Sequence, residues 1–272
     1  MSVLAFEPET AHRSPRRAGP VIAVASGKGG VGKTAIAAAL AQAFSRRKQR
    51  TLLVDADLGM ANVDVQLGLN PHGDIGGVVA GRLSIAEAVS EACGGSARRD
   101  GFDVIAGPSG SAALASLDID SVGRLAAGMA AASLDYDRMI IDLAAGAERA
   151  TVRLAAAADD VIVVINDEPT TLTDAYAFVK TLRLRDEGAA PFVVVNNAPD
   201  REAAKKAYAI FARTCSSFLG FAPPLAGIVR RDPHVGDAIR AQSALAARYP
   251  TCDAAADVAR LAAALEQGVE PG

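Results

Sequence analysis

One eight-residue stretch, Gly27-Lys28-Gly29-Gly30-Val31-Gly32-Lys33-Thr34, restricts the possible fold more than any other feature of the chain. It fits the pattern G-x-x-x-x-G-K-[ST], which works only between a strand and the start of a helix. The glycines let successive backbone N–H groups turn inward around phosphate oxygens. Lys33 brings positive charge to the terminal phosphates, and the Thr34 hydroxyl offers a ligand to Mg²⁺. The flanks satisfy the requirement. Val21 to Ala25 is an apolar, β-rich run, and Ala35 to Phe44 reads as a helix whose positive N-terminal end faces the bound anion. Residues Gly27 to Ala35 are therefore the expected nucleotide-binding segment. A glycine-rich turn that matches by chance is the competing reading, and this context disfavours it.

Lys28 is a second cation inside the loop, where Lys33 already serves the phosphates of its own subunit. Two readings stay open from spacing alone. Lys28 either reaches across a two-fold interface to a partner subunit's nucleotide, as an arginine finger does, or it is a solvated surface lysine.

Beyond the loop, short apolar runs alternate with helix-like stretches. Strands are expected at Thr51–Val54, Phe102–Ala106, Met139–Ile141, Val161–Ile165, Phe192–Val195 and Leu225–Val229. Helices are expected at Ser121–Ser133, Thr173–Leu184, Ala203–Phe218, Val235–Ala246 and Ala254–Leu265. Alternating β and α predicts an α/β fold, a doubly wound, mainly parallel sheet flanked by helices. A length of 272 residues suits one large domain of this kind. We expect a flexible leader over residues 1–20, rich in proline and arginine, a single P-loop domain over 21–266 and a short tail over 267–272. Aromatic residues make up only 4% of the chain and alanine is prominent, which suits helices packed closely on a sheet.

In a doubly wound sheet, ligands gather at the carboxyl ends of the strands. Asp55, Asp142, Asn166 and Asn196 each follow an apolar run and are expected there, although Asp and Asn also favour turns for local reasons. Magnesium takes oxygen ligands and keeps several waters, so Thr34, Asp55 and Asp142 suffice as its protein ligands. Tyr136 to Asp142 has the strand-then-aspartate form of a Walker B segment. Asp57, two residues past Asp55, is the candidate for orienting an attacking water, with a helix N-cap before Leu58 as its alternative. Gly146 offers close backbone approach to the γ-phosphate in a loop that changes shape on hydrolysis. Asn196 has the donor and acceptor needed to read adenine, or it is a turn residue.

Cys93, Cys215 and Cys252 are scattered, as are His12, His72 and His234, so no disulfide framework or transition-metal site is expected, and a reducing cytoplasm is the natural setting. The net charge of −3 argues against a globally basic nucleic-acid binder. No signal-peptide pattern or bilayer-length apolar run is present in the sequence.

The stretches Lys28–Thr34 and Asp55-Ala56-Asp57-Leu58-Gly59-Met60-Ala61-Asn62-Val63-Asp64, with the strand ending in Asp142, resemble the deviant Walker A ATPases of the MinD/ParA family from about Val21 to Leu265. Within it the chain is most similar to the FlhG/FleN-type regulators of flagellar number and placement. That likeness is carried by Asp57–Asp64 and by Glu168-Pro169-Thr170-Thr171-Leu172-Thr173-Asp174-Ala175-Tyr176. The resemblance implies an ATP- and Mg²⁺-dependent switch that forms a homodimer with ATP, hydrolyses it slowly and acts through a protein partner of flagellar assembly. It also implies that Lys28 is the signature lysine contacting the partner subunit's phosphates and that Asp57 is the catalytic aspartate.

Two departures stand out. Leu143-Ala144-Ala145-Gly146-Ala147 lacks the Ser/Thr and Pro common after the Walker B aspartate. Ile228-Val229-Arg230-Arg231-Asp232, where the family contacts adenine, lacks a proline before the acidic residue, which leaves the contact of Arg230 and Arg231 with the base open. The last helix carries Val258, Leu261 and Leu265 at helical spacing without a basic face, so it is expected to pack on the domain. Any peripheral contact with the inner face of the cell membrane would then depend on a partner. Two alternatives remain at this level. One is a ParA-like partition ATPase whose dimer binds DNA non-specifically through Arg230, Arg231, Arg240 and Arg248; the other is a MinD-like division-site regulator.

Overall fold

Eight strands hydrogen-bond in the order β3-β4-β2-β5-β1-β6-β7-β8. They are β1 (Val21–Ser26), β2 (Thr51–Ala56), β3 (Ser90–Ala92), β4 (Phe102–Ile105), β5 (Arg138–Ala145), β6 (Asp160–Ile165), β7 (Phe192–Ala198) and β8 (Leu225–Arg230). Every pairing is parallel except that of β3 with β4 at one edge. This computed structural model describes residues 19–93, 101–107 and 119–268. Most of the expected leader and the last residues of the expected tail lie outside the described residues.

The strands alternate with period two, yet both faces are buried, as a parallel sheet covered on each side requires. Val21, Ala23 and Ala25 of β1 point into one core layer with Leu52 and Val54 of β2 and Met139, Ile141 and Leu143 of β5. Ile22, Val24, Leu53 and Ile140 point into the other. The first layer is closed by α5 (Ile119–Ala132), α6 (Arg149–Ala155), α7 (Pro169–Arg185) and α8 (Arg201–Leu219). The second is closed by α1 (Lys33–Arg46), α9 (Pro233–Arg240), α10 (Leu245–Arg248) and α11 (Asp253–Gln267). Phe44, Phe102, Phe178 and Phe211 are fully buried, each contributing about 1.5–3 kcal/mol relative to exposure. Alanines at positions 37, 38 and 41 of α1 and 254, 255 and 262 of α11 are buried between helix and sheet. As expected, Val258, Leu261 and Leu265 of α11 pack into this layer.

The expected helix Val235–Ala246 is two helices. The chain turns after Arg240, with Gln242 in the left-handed region at φ 49° and its side-chain amide donating to Val65 O over 3.1 Å. After the turn, Ala244 and Leu245 are buried in the core. Sequence reading also passed over α2 (Val63–Leu67), α3 (Ile75–Val79), α4 (Ile85–Ala88), α6 and the edge strand β3. Several strands run further than expected. Asp55, Asp142 and Asn196 lie inside β2, β5 and β7, while Asn166 directly follows β6.

Candidate functional site

The glycine-rich loop joins β1 to α1 at the carboxyl edge of the sheet. Ser26 Oγ donates to Lys28 O over 2.7 Å, fixing the loop's entry. Gly30 and Gly32 have φ of 83° and 90°, a region that costs residues with a Cβ, and Gly32 stands at the N-cap of α1. Asn196 Nδ2 donates to Val31 O over 2.8 Å, and a Cβ on Gly32 would lie 2.4 Å from that nitrogen. The structure thus sets the Asn196 amide under the phosphate loop, within a strand and not in a turn.

Gly29, Gly30, Gly32, Lys33, Thr34, Ala35 and Asp57 line one open cleft, rimmed by Met60, Val65, Ile239 and Gln242. Lys33 is buried at its base with 8% exposure. Beside it the Thr34 hydroxyl donates to Asp142 Oδ2 over 2.6 Å. The other oxygen, Asp142 Oδ1, is buried with no hydrogen-bond partner. Burial pushes the Asp142 carboxyl up to about 7; Lys33 opposes the rise and Asp55 adds to it. Asp55 is also buried and pushed up to about 6 by desolvation, against the pull of its backbone donors. Its Oδ1 accepts from Asp57 N, and its Oδ2 accepts from Asn62 N and Val63 N. Asp55 therefore ties down the loop after β2. A hard dication suits this oxygen-rich corner, where Thr34, the unpartnered Asp142 oxygen and Asp55, whose oxygens also accept backbone N–H groups, are the expected ligands.

Asp57 starts no helix. Its Oδ1 accepts from Gly59 N and Met60 N, holding a turn that sets the half-buried carboxylate at the cleft. Lys28 lies elsewhere. Its Nζ donates to Thr170 Oγ1 over 3.0 Å and stands 3.7 Å from Glu168 Oε2, at the start of α7. In the single chain it is neither on its own phosphate site nor free in water. Gly146 has φ 94°, its N–H donates to Ser26 O over 2.9 Å, and a Cβ there would meet open space.

Arg231 Nε donates to Asn197 Oδ1, and its N–H donates to Ala198 O. Arg230 turns the other way and binds Asp253 and the buried Asp257 on α11, an ion network that also holds Arg201 and Arg260. The share of α2 and the α9–α10 turn in the cleft rim was not legible, because those short elements carry no period of their own. His234 and Cys252, far apart in sequence, are brought beside Asp232 by the fold.

A family model described as the CobQ/CobB/MinD/ParA nucleotide binding domain matches residues 22–245. The chain is 35% identical over 231 residues to the antiactivator FleN of Pseudomonas aeruginosa, covering 85% of this chain and 80% of that one. It is 35% identical over 167 residues to the flagellum site-determining protein YlxH of Helicobacter pylori, covering 58% and 52%. Its fold is similar to that of the septum site-determining protein MinD of Pyrococcus horikoshii, solved with Mg-ADP. That likeness has a TM-score of 0.71 at 21% identity and covers 91% of this chain and 96% of that one.

Proposed function

Since the chain belongs to the CobQ/CobB/MinD/ParA nucleotide-binding family, we propose that it is an ATP-hydrolysing switch that regulates flagellar number or placement through a protein partner. The observation that carries the nucleotide reading is the single cleft that collects the glycine loop, Lys33, Thr34 and Asp57. The flagellar part is supported by likeness to FleN and YlxH. We take residues 21–266 as the working unit.

In this reading the loop amides from Gly29 to Thr34 hold the β- and γ-phosphates, and Lys33 neutralises them from the cleft floor. Thr34, Asp55 and Asp142 would hold Mg²⁺, which would supply further charge neutralisation to the phosphates. Asp57 orients the attacking water, its carboxylate already fixed by the turn amides of Gly59 and Met60. Lys28 leaves Glu168 and Thr170 when a second copy docks, and contacts that copy's phosphates. Exposed Met60 and Val65 beside the cleft suit burial in such a dimer. Among the described residues no helix is long and apolar enough to cross a membrane, and since α11 packs Val258, Leu261 and Leu265 into the core, membrane contact in this reading goes through a partner. Arg230 is tied to the buried Asp257, which takes one of the four arginines from the partition alternative.

The test is the molar mass in solution with ATP and with ADP for wild type, Lys28→Ala and Asp57→Ala. Wild type is expected to dimerise transiently with ATP, Asp57→Ala to stay dimeric, and Lys28→Ala to stay monomeric. Identical behaviour of all three in both nucleotides overturns the reading, and ATP-dependent, salt-sensitive DNA binding would favour partition.

A further inference from the structure

We propose that Asp232, His234 and Cys252 form a binding site for one borderline-soft divalent metal ion, of the Zn²⁺ class, where the turn before α9 meets the start of α11. Each residue offers one donor atom, and the three atoms lie within 4.8 Å of one another. Zinc bonds of about 2.0–2.3 Å require three such atoms to close on a common centre, a shift of side-chain scale from their present spacing. The donor set is a carboxylate oxygen, an imidazole nitrogen and a sulfur. Hard Mg²⁺ prefers oxygen throughout, so a thiolate and an imidazole select a softer ion. Three protein ligands leave the fourth tetrahedral position to water.

The donors are held in place by the fold. Asp232 caps α9 by accepting from His234 N over 3.0 Å, and its other oxygen accepts from Ala254 N over 3.1 Å at the start of α11. His234 Nδ1 lies 2.7 Å from Asp232 Oδ1, and its ring packs against Tyr249 at 4.5 Å between centroids. Cys252 is the N-cap of α11, with Sγ accepting from Ala255 N over 3.4 Å. The thiol also hydrogen-bonds to Asp232. Without metal, therefore, protons sit between the donors. When the dication binds, the S–H bond breaks, its proton leaves to solvent and a metal–sulfur bond forms. The proton that His234 Nδ1 shares with Asp232 Oδ1 moves to the other ring nitrogen or to solvent, and a metal–nitrogen bond replaces that contact. One thiolate and one carboxylate then balance the two positive charges. The ion would staple the β8–α9 turn, which carries Arg231, to the first turn of α11.

The test uses the full chain stripped with chelator and titrated with Co²⁺ as a spectroscopic stand-in, then with Zn²⁺ in competition. One equivalent of Co²⁺ should produce a sulfur-to-cobalt charge-transfer band that one equivalent of Zn²⁺ abolishes. This signal separates the site from any Mg²⁺-type binding at Thr34 and Asp142, which have no sulfur. Cys252→Ser should lose the band, and His234→Ala should weaken binding about tenfold or more. Cys93→Ser and Cys215→Ser should leave both unchanged. Asp232 is left intact because its removal would uncap two helices. Circular dichroism checks that each variant folds. Absence of a band in folded wild type, or its persistence in Cys252→Ser, overturns the proposal whatever the outcome for nucleotide-driven dimerisation.

Discussion

Thr34 Oγ1 donates to Asp142 Oδ2 over 2.6 Å while Oδ1 of the same carboxylate is buried without a partner. A buried acceptor left unpaired costs about 1–3 kcal/mol, and a charged one costs more, which is the physical reason that burial pushes the Asp142 carboxyl up to about 7.

The first prediction is a pH dependence with a definite sign. The unfolded chain releases the Asp142 proton near 3.8, whereas the folded chain holds it up to about 7. Asp55 behaves alike, with a folded value of about 6. The folded state thus binds more protons between these limits, and stability falls as pH rises through them. Melting temperature without nucleotide should decline by several degrees between pH 5 and 8, in a range chosen to lie above the acid-side losses from Asp232, whose carboxyl is held at about 2. Asp142→Asn should flatten the decline. An equal slope in both proteins would contradict the assignment.

Thr34→Val keeps the side chain's shape and removes the hydroxyl, so Asp142 Oδ2 loses the donor it has in the structure. Affinity for ATP with Mg²⁺ should fall by about tenfold or more, since the hydroxyl is a proposed ligand of the metal. Affinity for ATP with chelator present should change little. Paired calorimetric titrations with and without Mg²⁺ read the difference.

Glycines of the loop are not equivalent. A Cβ on Gly27 would stand 2.0 Å from the backbone carbon of Asp174 and 2.2 Å from Ala175 N, both on α7. Gly27→Ala must push that helix away, at the upper end of the roughly 1–3 kcal/mol typical of overpacking. A Cβ on Gly29 meets nothing within 4 Å, and its backbone is outside the left-handed region. Gly29→Ala should melt like wild type yet bind nucleotide more weakly, because its methyl group enters the cleft. Thermal melts and nucleotide titrations of the two variants separate a packing glycine from a ligand-facing one.

These contrasts show what the sequence could reveal. The loop, the parallel strands and the aspartates of β2 and β5 were legible because each combines a residue pattern with a period that only one backbone satisfies. The α9–α10 break was not, since Ala241 and Ser243 carry no turn signal and the break serves a distant contact, Gln242 with Val65. The partners of Lys28 were equally hidden, because Glu168 and Thr170 reach it only through the packing of α7 beside β1. His234 and Cys252 looked isolated for the same reason: the return of α11 beside β8 is what makes them neighbours.

Asn196 allows a last discrimination. As a base reader it would distinguish ATP from GTP by its paired donor and acceptor. The structure instead spends its amide N–H₂ on Val31 O, directly under Gly32. A brace of that kind acts on every nucleoside triphosphate alike, since it shapes only the loop around the phosphates. Asn196→Ala removes one hydrogen bond worth about 0.5–1.5 kcal/mol, so affinity for ATP and GTP should fall together by up to about tenfold, with their ratio unchanged. Competition titrations of the two nucleotides measure that ratio directly. If it collapses in the variant while the chain stays folded, Asn196 contacts the base, and the loop must find its support elsewhere.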